Sequence, residues 1–370
     1  PSGATEKIWM TGNSTMQVLF AGASGLADDN NGNARDDVDS QLMAFNFAGV
    51  GPTLGPLYIR LSTTLQANGK MEERSNATPG ILDILPFRPT GQCDSFFDIF
   101  MEVTMSGQTL HNGAAERLSS VITHEPPGAG DIYENAEVTP LLDAGGNPTV
   151  FSLKTTRYRP NPPTEVDVFN HSKCQLQIAT PDHGVQTIQM IGNSTMRVFF
   201  EGLVLGSAQD DSGNGREEVQ TELTQWTFSG HNPALGLVQM HLSSGGPALG
   251  EIEEQANSTP GTLDIQPFRP AGLCDSFFDI FLEVQLPGQT LHSHTPIHLT
   301  EIIAHKPPVV GNIWDSLGSV GLYDESNNPT RYFASTIAYE PNALPPACGD
   351  AAHPYPIGDL SEDCRVNFVD

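Results

Sequence analysis

The chain of 370 residues carries 17 basic and 44 acidic residues, which gives a formal net charge of −27 at pH 7. Nucleic acids and anionic membranes are bound through positive surfaces, so this balance excludes both as partners. The sequence has no run of about 18 apolar residues, and we therefore expect no membrane-spanning helix. The acidic excess favours a solvated surface or the binding of cations.

The sequence contains two copies of one unit. The stretch CDSFFDIF begins at Cys93 and again at Cys274, and GNSTM at Gly12 returns at Gly192. Between Arg35 and its counterpart Arg216 the offset is 181 residues, and it stays constant to the end of both copies. Solenoid repeats are only about 20–50 residues long, so each copy is predicted to fold as its own domain. We predict a first domain over 1–182, a second over 183–346 and a tail over 347–370.

Short apolar runs rich in Val, Ile, Phe and Thr alternate with turn residues along both copies, a pattern typical of strands. Phe97, Ile99, Met101 and Val103 occupy every second position of one such run, which predicts one covered face. The 29 prolines argue against long helices. The sequence therefore predicts an all-β fold of two tandem homologous antiparallel β-sandwiches, followed by a short calcium-loop-like tail.

Five cysteines are distributed unevenly over the copies. Cys93 and Cys274 are equivalent and are expected to be small buried residues at a strand start. Cys174 and Cys364 match at the ends of the copies, and Cys348 is extra. The spacing does not fit a zinc signature, whereas Cys348 and Cys364 are close enough in sequence to be the candidate disulfide. An odd count leaves one thiol over.

Four N-x-S/T sequons form two equivalent pairs, at Asn13, Asn76, Asn193 and Asn257. They are candidate glycosylation sites, although this tripeptide is also frequent by chance. A sequence that opens at Pro1 without an initiator Met indicates a processed or trimmed product. These features predict an extracellular or cell-surface location.

The end of the chain fits a twelve-position calcium loop. Ca²⁺ prefers six to eight oxygen ligands, supplied by alternate positions of such a loop. Cys364 stands at the sixth position, where glycine usually makes the sharp turn. The predicted ligands are the side chains of Asp359, Ser361, Asp363, Asn367 and Asp370 and the carbonyl of Arg365.

The tail from Cys348 to Asp370 resembles the first half of the dockerin-type repeats that close many secreted planctomycete proteins. The resemblance implies calcium binding and docking, either to a cohesin or to itself. The two copies look like the β-rich domains of uncharacterised secreted planctomycete proteins, for which no activity is established.

A weaker calcium loop occurs once in each copy, with oxygen-bearing residues at positions 1, 3, 5, 7 and 9. The twelfth position carries no carboxylate, and a polar hairpin loop is the equal alternative. The candidate ligands are Asp29, Asn31, Asn33, Arg35 and Asp37 in the first copy, and Asp210, Ser212, Asn214, Arg216 and Glu218 in the second.

An enzyme would need a catalytic constellation, and the best candidates are His111 with His124 and their equivalents His292 with His305. A histidine before Pro at a strand end is more often a hydrogen-bonded structural residue. No nucleophile elbow, zinc-protease, P-loop or dinucleotide motif occurs in a suitable context. We predict that the protein is not an enzyme.

The favoured function is an extracellular structural or adhesive protein, stabilised by calcium and self-associating head to tail into a filament or surface layer. An added strand at a sheet edge or a disulfide would make the contacts. The alternative is a non-catalytic carbohydrate-binding module, or an accessory protein of a secreted polysaccharide hydrolase, with Trp226 and Trp314 as stacking platform. A glycan or another cell-surface molecule would then be the partner.

Overall fold

The computed structural model describes residues 4–316 and 318–342. The predicted tail over 347–370, with its calcium loop and the candidate disulfide between Cys348 and Cys364, lies outside this part. The described residues form strands, turns and irregular segments and no helix, which confirms the all-β prediction.

The first sheet contains twelve strands paired in antiparallel fashion. They are β1 (Met10–Leu19), β2 (Asp37–Gly51), β3 (Gly55–Leu61), β4 (Ala67–Glu73), β5 (Cys93–Ile99), β6 (Met101–Met105), β7 (Gln108–Asn112), β8 (Glu116–Ile122), β9 (Tyr133–Asn135), β10 (Thr139–Leu142), β11 (Pro148–Leu153) and β12 (Thr156–Tyr158).

The second sheet also has twelve antiparallel strands. They are β13 (Thr164–Thr180), β14 (Gly184–Phe199), β15 (Glu218–Asn232), β16 (Gly236–Leu242), β17 (Leu249–Glu254), β18 (Cys274–Ile280), β19 (Leu282–Leu286), β20 (Gln289–Ser293), β21 (Ile297–Ile303), β22 (Trp314–Ser316), β23 (Val320–Tyr323) and β24 (Pro329–Glu340).

The strand order of the first sheet is β11-β10-β7-β6-β3-β2-β4-β5-β8-β9-β12, with β1 paired to β2. The second sheet repeats this order from β14 to β24, as the sequence repeat predicts. It differs in two respects, and the first is that β13 lies between β14 and β24 and pairs with both. The strand β24 is continuous in the second sheet, whereas its counterpart is divided into β11 and β12.

The alternation predicted around Phe97 is confirmed. Phe97, Ile99, Met101 and Val103 are at most 2% exposed. The run is divided into β5 and β6 at Phe100, where the chain changes neighbours from β4 and β8 to β3 and β7. The side chains on one face of β5 and β6 therefore belong to the core of the first domain.

The boundary predicted between residues 182 and 183 is wrong. Residues Thr180 and Gly184 are paired to each other in the turn between β13 and β14, inside the second sheet. The two sheets are instead joined between Tyr158 and Thr164. In the sequence repeat, β13 is counted with the first copy. The reason is that the segment around Cys364, which matches β13, follows the second copy.

Candidate assembly site

The strand β13 completes the second domain. It pairs with β14 along its whole length, and its residues Lys173–Ala179 also pair with Phe333–Glu340 of β24. Alternation along β13 directs Cys174, Leu176 and Ile178 into the core, where each is at most 1% exposed. These residues belong to one hydrophobic cluster that spans the whole second domain.

The first domain has no described strand at the corresponding position. β1 pairs with β2 and β12 pairs with β9, and no strand among residues 4–316 and 318–342 joins β1 to β12. We call this gap the open seam; it is bordered by β1 (Met10–Leu19) on one side and by β12 (Thr156–Tyr158) on the other. One edge of each bordering strand is thus left without a ladder partner, which is the arrangement that accepts an added strand.

The core of the first domain reflects this gap. It divides into two hydrophobic clusters, whereas the second domain has one. Met16, Val18 and Phe20 beside the open seam are only partly buried. Their counterparts in the second domain are identical residues, Met196, Val198 and Phe200, and each of these is at most 2% exposed. The apolar side chains of β13 account for this difference, because they cover the equivalent surface.

A cavity of about 180 Å³ opens at the seam, lined by Ser14, Met16, Glu125 and Tyr158 among others. The Ser14 and Tyr158 hydroxyls form a hydrogen bond of 2.5 Å across it. In the second domain the matching hydroxyls of Ser194 and Tyr339 are bonded in the same way, and Ser172 of β13 adds a bond to Ser194. The cavity therefore lies where β13 enters the second domain.

Electrostatics at the seam differ between the copies. Lys306 is fully buried, and its ammonium group donates to Asp167 and, at 3.2 Å, to Glu165, both on β13. The equivalent residue in the first domain is Glu125, whose Oε2 is buried and has no hydrogen-bond partner among the described residues. Burial raises the pKa of Glu125 to about 7. A β13-like strand in the open seam would therefore meet a carboxyl group where β13 meets an amine.

The second domain contacts the first at the border of the open seam. Asp211 accepts a hydrogen bond of 2.5 Å from Lys7 through its carbonyl, and its carboxylate lies 2.9 Å from Arg157. Arg159 forms an ion pair with Glu201, which is 2% exposed. These charged contacts fix the two domains relative to each other beside the seam, while Ile8 and Met10 pack towards the smaller core cluster.

The predicted calcium loop of the first copy is a tightly turned loop. Asp29 Oδ1 accepts hydrogen bonds from the N–H groups of Gly32 at 2.7 Å and Asn33 at 3.0 Å, and Oδ2 from Ala34 at 2.8 Å. These bonds, with that from Ala34 the largest, lower the pKa of Asp29. In the same manner, Asn31 Oδ1 accepts a hydrogen bond from the N–H group of Asn33, and Asn33 Oδ1 accepts one from the N–H group of Arg35. Positions 1, 3 and 5 are thus brought together around the backbone.

Position 9 of this loop is differently engaged. The Asp37 side chain is fully buried and pairs with Lys70 at 3.1 Å. At position 7 the side chain of Arg35 is exposed, and it is the Arg35 N–H that bonds to Asn33.

The second copy repeats this loop. The Asp210 carboxylate accepts from the N–H groups of Gly213, Asn214 and Gly215 at 2.7–3.0 Å. Burial opposes the effect, but these bonds lower the pKa of Asp210. Ser212 donates to Asp210 at 3.4 Å.

The last two candidates of the second loop, Arg216 and Glu218, are not turned towards Asp210 by any hydrogen bond that the structure shows. Arg216 pairs with Glu253 and Asp275, and burial raises the pKa of Glu218 to about 7. Among residues 4–316 and 318–342, no three His, Cys, Asp or Glu side chains are grouped so that they could share a metal ion. Calcium binding by these loops stays a prediction.

The other predicted residues occupy varied positions. Asn13 and Asn193 are exposed on β1 and β14, whereas Asn76 and Asn257 are partly buried in irregular loops. The expectation for Cys93 and Cys274 is confirmed, since both are 0% exposed at the start of β5 and β18. Burial raises the pKa of both thiols to about 12.

The histidine pairs are not brought together by the sheet order. Five strands separate β7, which carries His111, from β8, which precedes His124. His124 bonds to Thr123 at 2.9 Å and His305 to the carbonyl of Pro307 at 2.8 Å, as expected for structural residues.

The aromatic platform suggested for sugar binding is wrong in its residues. Trp226 and Trp314 are each 1% exposed and pack in the second core, so neither ring can stack on an external ligand. The sequence could not show this, because both lie in strands whose inward face is fixed by register.

Within the described ranges, no helix is long and apolar enough to cross a membrane. No protein-family model and no curated protein matches the chain. Among solved structures, the chain is similar to DynF from the dynemicin biosynthesis pathway of Micromonospora chersina, with 17% identity and a TM-score of 0.37. That similarity covers 50% of this chain and 83% of the DynF chain.

Proposed function

We propose that this protein is an extracellular structural protein whose tandem β domains assemble head to tail, each domain being completed by a strand from the one before it. The observation that carries the proposal is the open seam of the first domain, set against the same seam filled by β13 in the second.

Strand donation already occurs once within the chain. The segment after Asn161 does not return to the first domain but runs forward as β13 and is built into the second. Asn342 is the counterpart of Asn161 at the end of the second domain. The proposal therefore assigns the segment that follows Asn342 in sequence the role that β13 has after Asn161.

The sequence of that segment suits the role. Taking Cys364 as the counterpart of Cys174, the residues Cys-Arg-Val-Asn-Phe-Val-Asp align with Cys-Gln-Leu-Gln-Ile-Ala-Thr of β13. Cys364, Val366 and Phe368 then fall on the positions that Cys174, Leu176 and Ile178 occupy in the core. This alternation is typical of a strand with one buried face. It competes with the calcium-loop interpretation of the same residues.

The first domain of a second copy provides the matching acceptor. Its bordering strands offer free ladder edges on both sides, and Met16, Val18 and Phe20 offer apolar surface. An inserted strand would gain backbone hydrogen bonds on both edges, as β13 does, and would join the two core clusters. Because donor and acceptor surfaces differ, the contact is heterologous and propagates into a filament.

The extracellular location and the stabilising calcium ions belong to the same proposal. Four sequons, a formal charge of −27 and two Asp-headed loops support them. Acidic loops that bind Ca²⁺ would stiffen each domain without taking part in the strand exchange.

The test is negative-stain electron microscopy together with sedimentation of the full chain over a range of concentrations. We expect particles that lengthen by whole chains as concentration rises. Val366→Asp, which places a charge on the proposed buried face, should give discrete two-domain particles. Asn367→Asp adds the same charge to the opposite face and serves as matched control, with assembly retained.

Discrete particles of the unaltered chain at every concentration would contradict the proposal. A glycan array would then be the next experiment, because a carbohydrate-binding module is the remaining alternative. Assembly that Asn367→Asp abolishes and Val366→Asp does not would contradict the strand register.

A further inference from the structure

Three side chains converge on one point at the surface of the second domain, beside the place where β20 and β23 pair. His292 lies on β20, His294 follows that strand directly, and Asn327 lies in the turn between β23 and β24. We propose that His292, His294 and Asn327 form a binding site for a divalent transition-metal ion of the zinc, copper or nickel type.

The distances carry this proposal. The two Nε2 atoms are 3.2 Å apart, and Asn327 Oδ1 lies 2.9 Å from His292 Nε2 and 3.2 Å from His294 Nε2. Zinc bonded to nitrogen at about 2.0–2.1 Å with tetrahedral angles separates neighbouring ligand atoms by roughly 3.3 Å. The three donor atoms thus have the mutual spacing of one face of a tetrahedral metal site.

Hydrogen bonding alone does not account for the triangle. If each imidazole donates its Nε2–H to Asn327 Oδ1, the two nitrogens have no proton between them, and their 3.2 Å contact brings two donors together. If one imidazole instead donates to the other, the accepting nitrogen carries no proton, and its contact with the amide oxygen brings two acceptors together. A metal ion satisfies all three contacts at once, because each atom then offers it a lone pair.

The surrounding residues hold the ligands in place. The His294 ring is stacked on Tyr323, with centroids 3.8 Å apart and planes at 11°. Asp324 accepts hydrogen bonds from the N–H groups of Ser326 and Asn328, each at 2.9 Å, and thereby fixes the turn that presents Asn327. Pre-oriented ligands of this kind lose little entropy on binding an ion.

The first domain provides an internal comparison. It keeps the first histidine as His111 but has Gly113 and Gly146 where the second domain has His294 and Asn327. Asn327 adopts φ 62°, close to the 78° of Gly146, so the turn has the same left-handed shape in both copies. Two separate glycine positions therefore carry donor side chains in one copy alone, and these converge on the same point.

The chemistry of the donors limits the metal. Imidazole nitrogen suits Zn²⁺, Cu²⁺ and Ni²⁺, whereas Ca²⁺ and Mg²⁺ prefer all-oxygen sites. The site is thus distinct in chemistry from the acidic loops. His294 and Asn327 are exposed, so a fourth position faces solvent and accepts water or a group from another molecule.

The test is calorimetric titration of the full chain with ZnCl₂, supported by the electron paramagnetic resonance spectrum with Cu²⁺. We expect one Zn²⁺ to bind per chain, with an affinity that His292→Ala and His294→Ala each lower at least tenfold. The copper spectrum should show nitrogen splitting, which the His292→Ala/His294→Ala double variant should lose. Asn327→Gly, which restores the residue of the first domain, should weaken Zn²⁺ binding without altering the fold.

His111→Ala is the matched control, and we expect it to leave this equivalent unchanged. Zn²⁺ binding of unaltered stoichiometry and affinity in the His292→Ala/His294→Ala double variant would overturn the proposal, as would an equal loss in His111→Ala. Thermal melting of each variant shows that it is folded. The inference is independent of strand exchange, because neither the variants nor the readout involve the open seam.

Discussion

Replacement of Leu176 by Ala tests whether β13 is an integral part of the second domain. Leu176 is 0% exposed at the centre of β13 and pairs with Ile188 of β14 and Ile337 of β24. Removing three buried carbons costs about 0.8 kcal/mol each in transfer free energy, and the remaining cavity adds to this. We expect a loss of about 3 kcal/mol in the free energy of unfolding of the second domain.

Urea unfolding followed by tryptophan fluorescence is the assay. Trp226 and Trp314 are both buried in the second domain, so the fluorescence change reports chiefly on this domain. The matched control is Val166→Ala on the same strand, where the side chain is 54% exposed and the expected change is below about 0.5 kcal/mol. A change below about 1 kcal/mol for Leu176→Ala would refute the assignment of β13 to the second core.

Three further predictions follow from buried charges and loops. Lys306→Met leaves the Asp167 carboxylate buried without its amine, and we expect a loss of about 3–5 kcal/mol at pH 7 in urea unfolding. The loss should shrink at lower pH as the carboxyl group is protonated; a loss that does not depend on pH would contradict the ion pair. For Glu125, whose pKa burial raises from 4.5 to about 7, the unfolded state ionises first, so stability falls as pH rises between these values. Glu125→Gln should remove that part of the pH dependence and add roughly 1 kcal/mol at pH 7.5, and an unchanged pH profile would argue against it. Saturating Ca²⁺ should raise the melting temperature relative to chelator, and the difference should diminish in Asp29→Asn and Asp210→Asn; equal melting curves with and without Ca²⁺ would exclude the calcium proposal.

The sequence predicts the fold class well, because repetition and alternation are local patterns. The copies of CDSFFDIF fix equivalent strands, and the positions of Phe97, Ile99, Met101 and Val103 predict their buried face. The domain boundary could not be obtained in the same way. The domain that receives β13 is decided by the sheet edge with which this segment pairs. A repeat alignment does not show this, because its offsets are the same whichever domain receives β13.

The candidate sites show the same limit. The Asp-x-Asn loops are recognisable from spacing alone, but only the structure shows that Asp37 is committed to Lys70. The seam is invisible in sequence until β13 is seen paired on both edges. The triangle of His292, His294 and Asn327 was missed because 33 residues separate His294 from Asn327, and β20–β23 pairing brings them together. The replacement of two glycines between the copies was the signal that could have found it.

Site-specific cross-linking tests the central claim most directly. In the second domain Cys174 pairs with Met190, and Met10 is the counterpart of Met190 on the border of the open seam. Residues directly opposite on paired strands lie close enough for a disulfide. With Met10→Cys, the account predicts that mild oxidation yields a ladder of covalent multimers on a non-reducing gel, and that Met10→Cys/Cys364→Ser yields none beyond the background of the unaltered chain. Covalent multimers that persist without Cys364, or a Met10→Cys chain that stays monomeric, would contradict it.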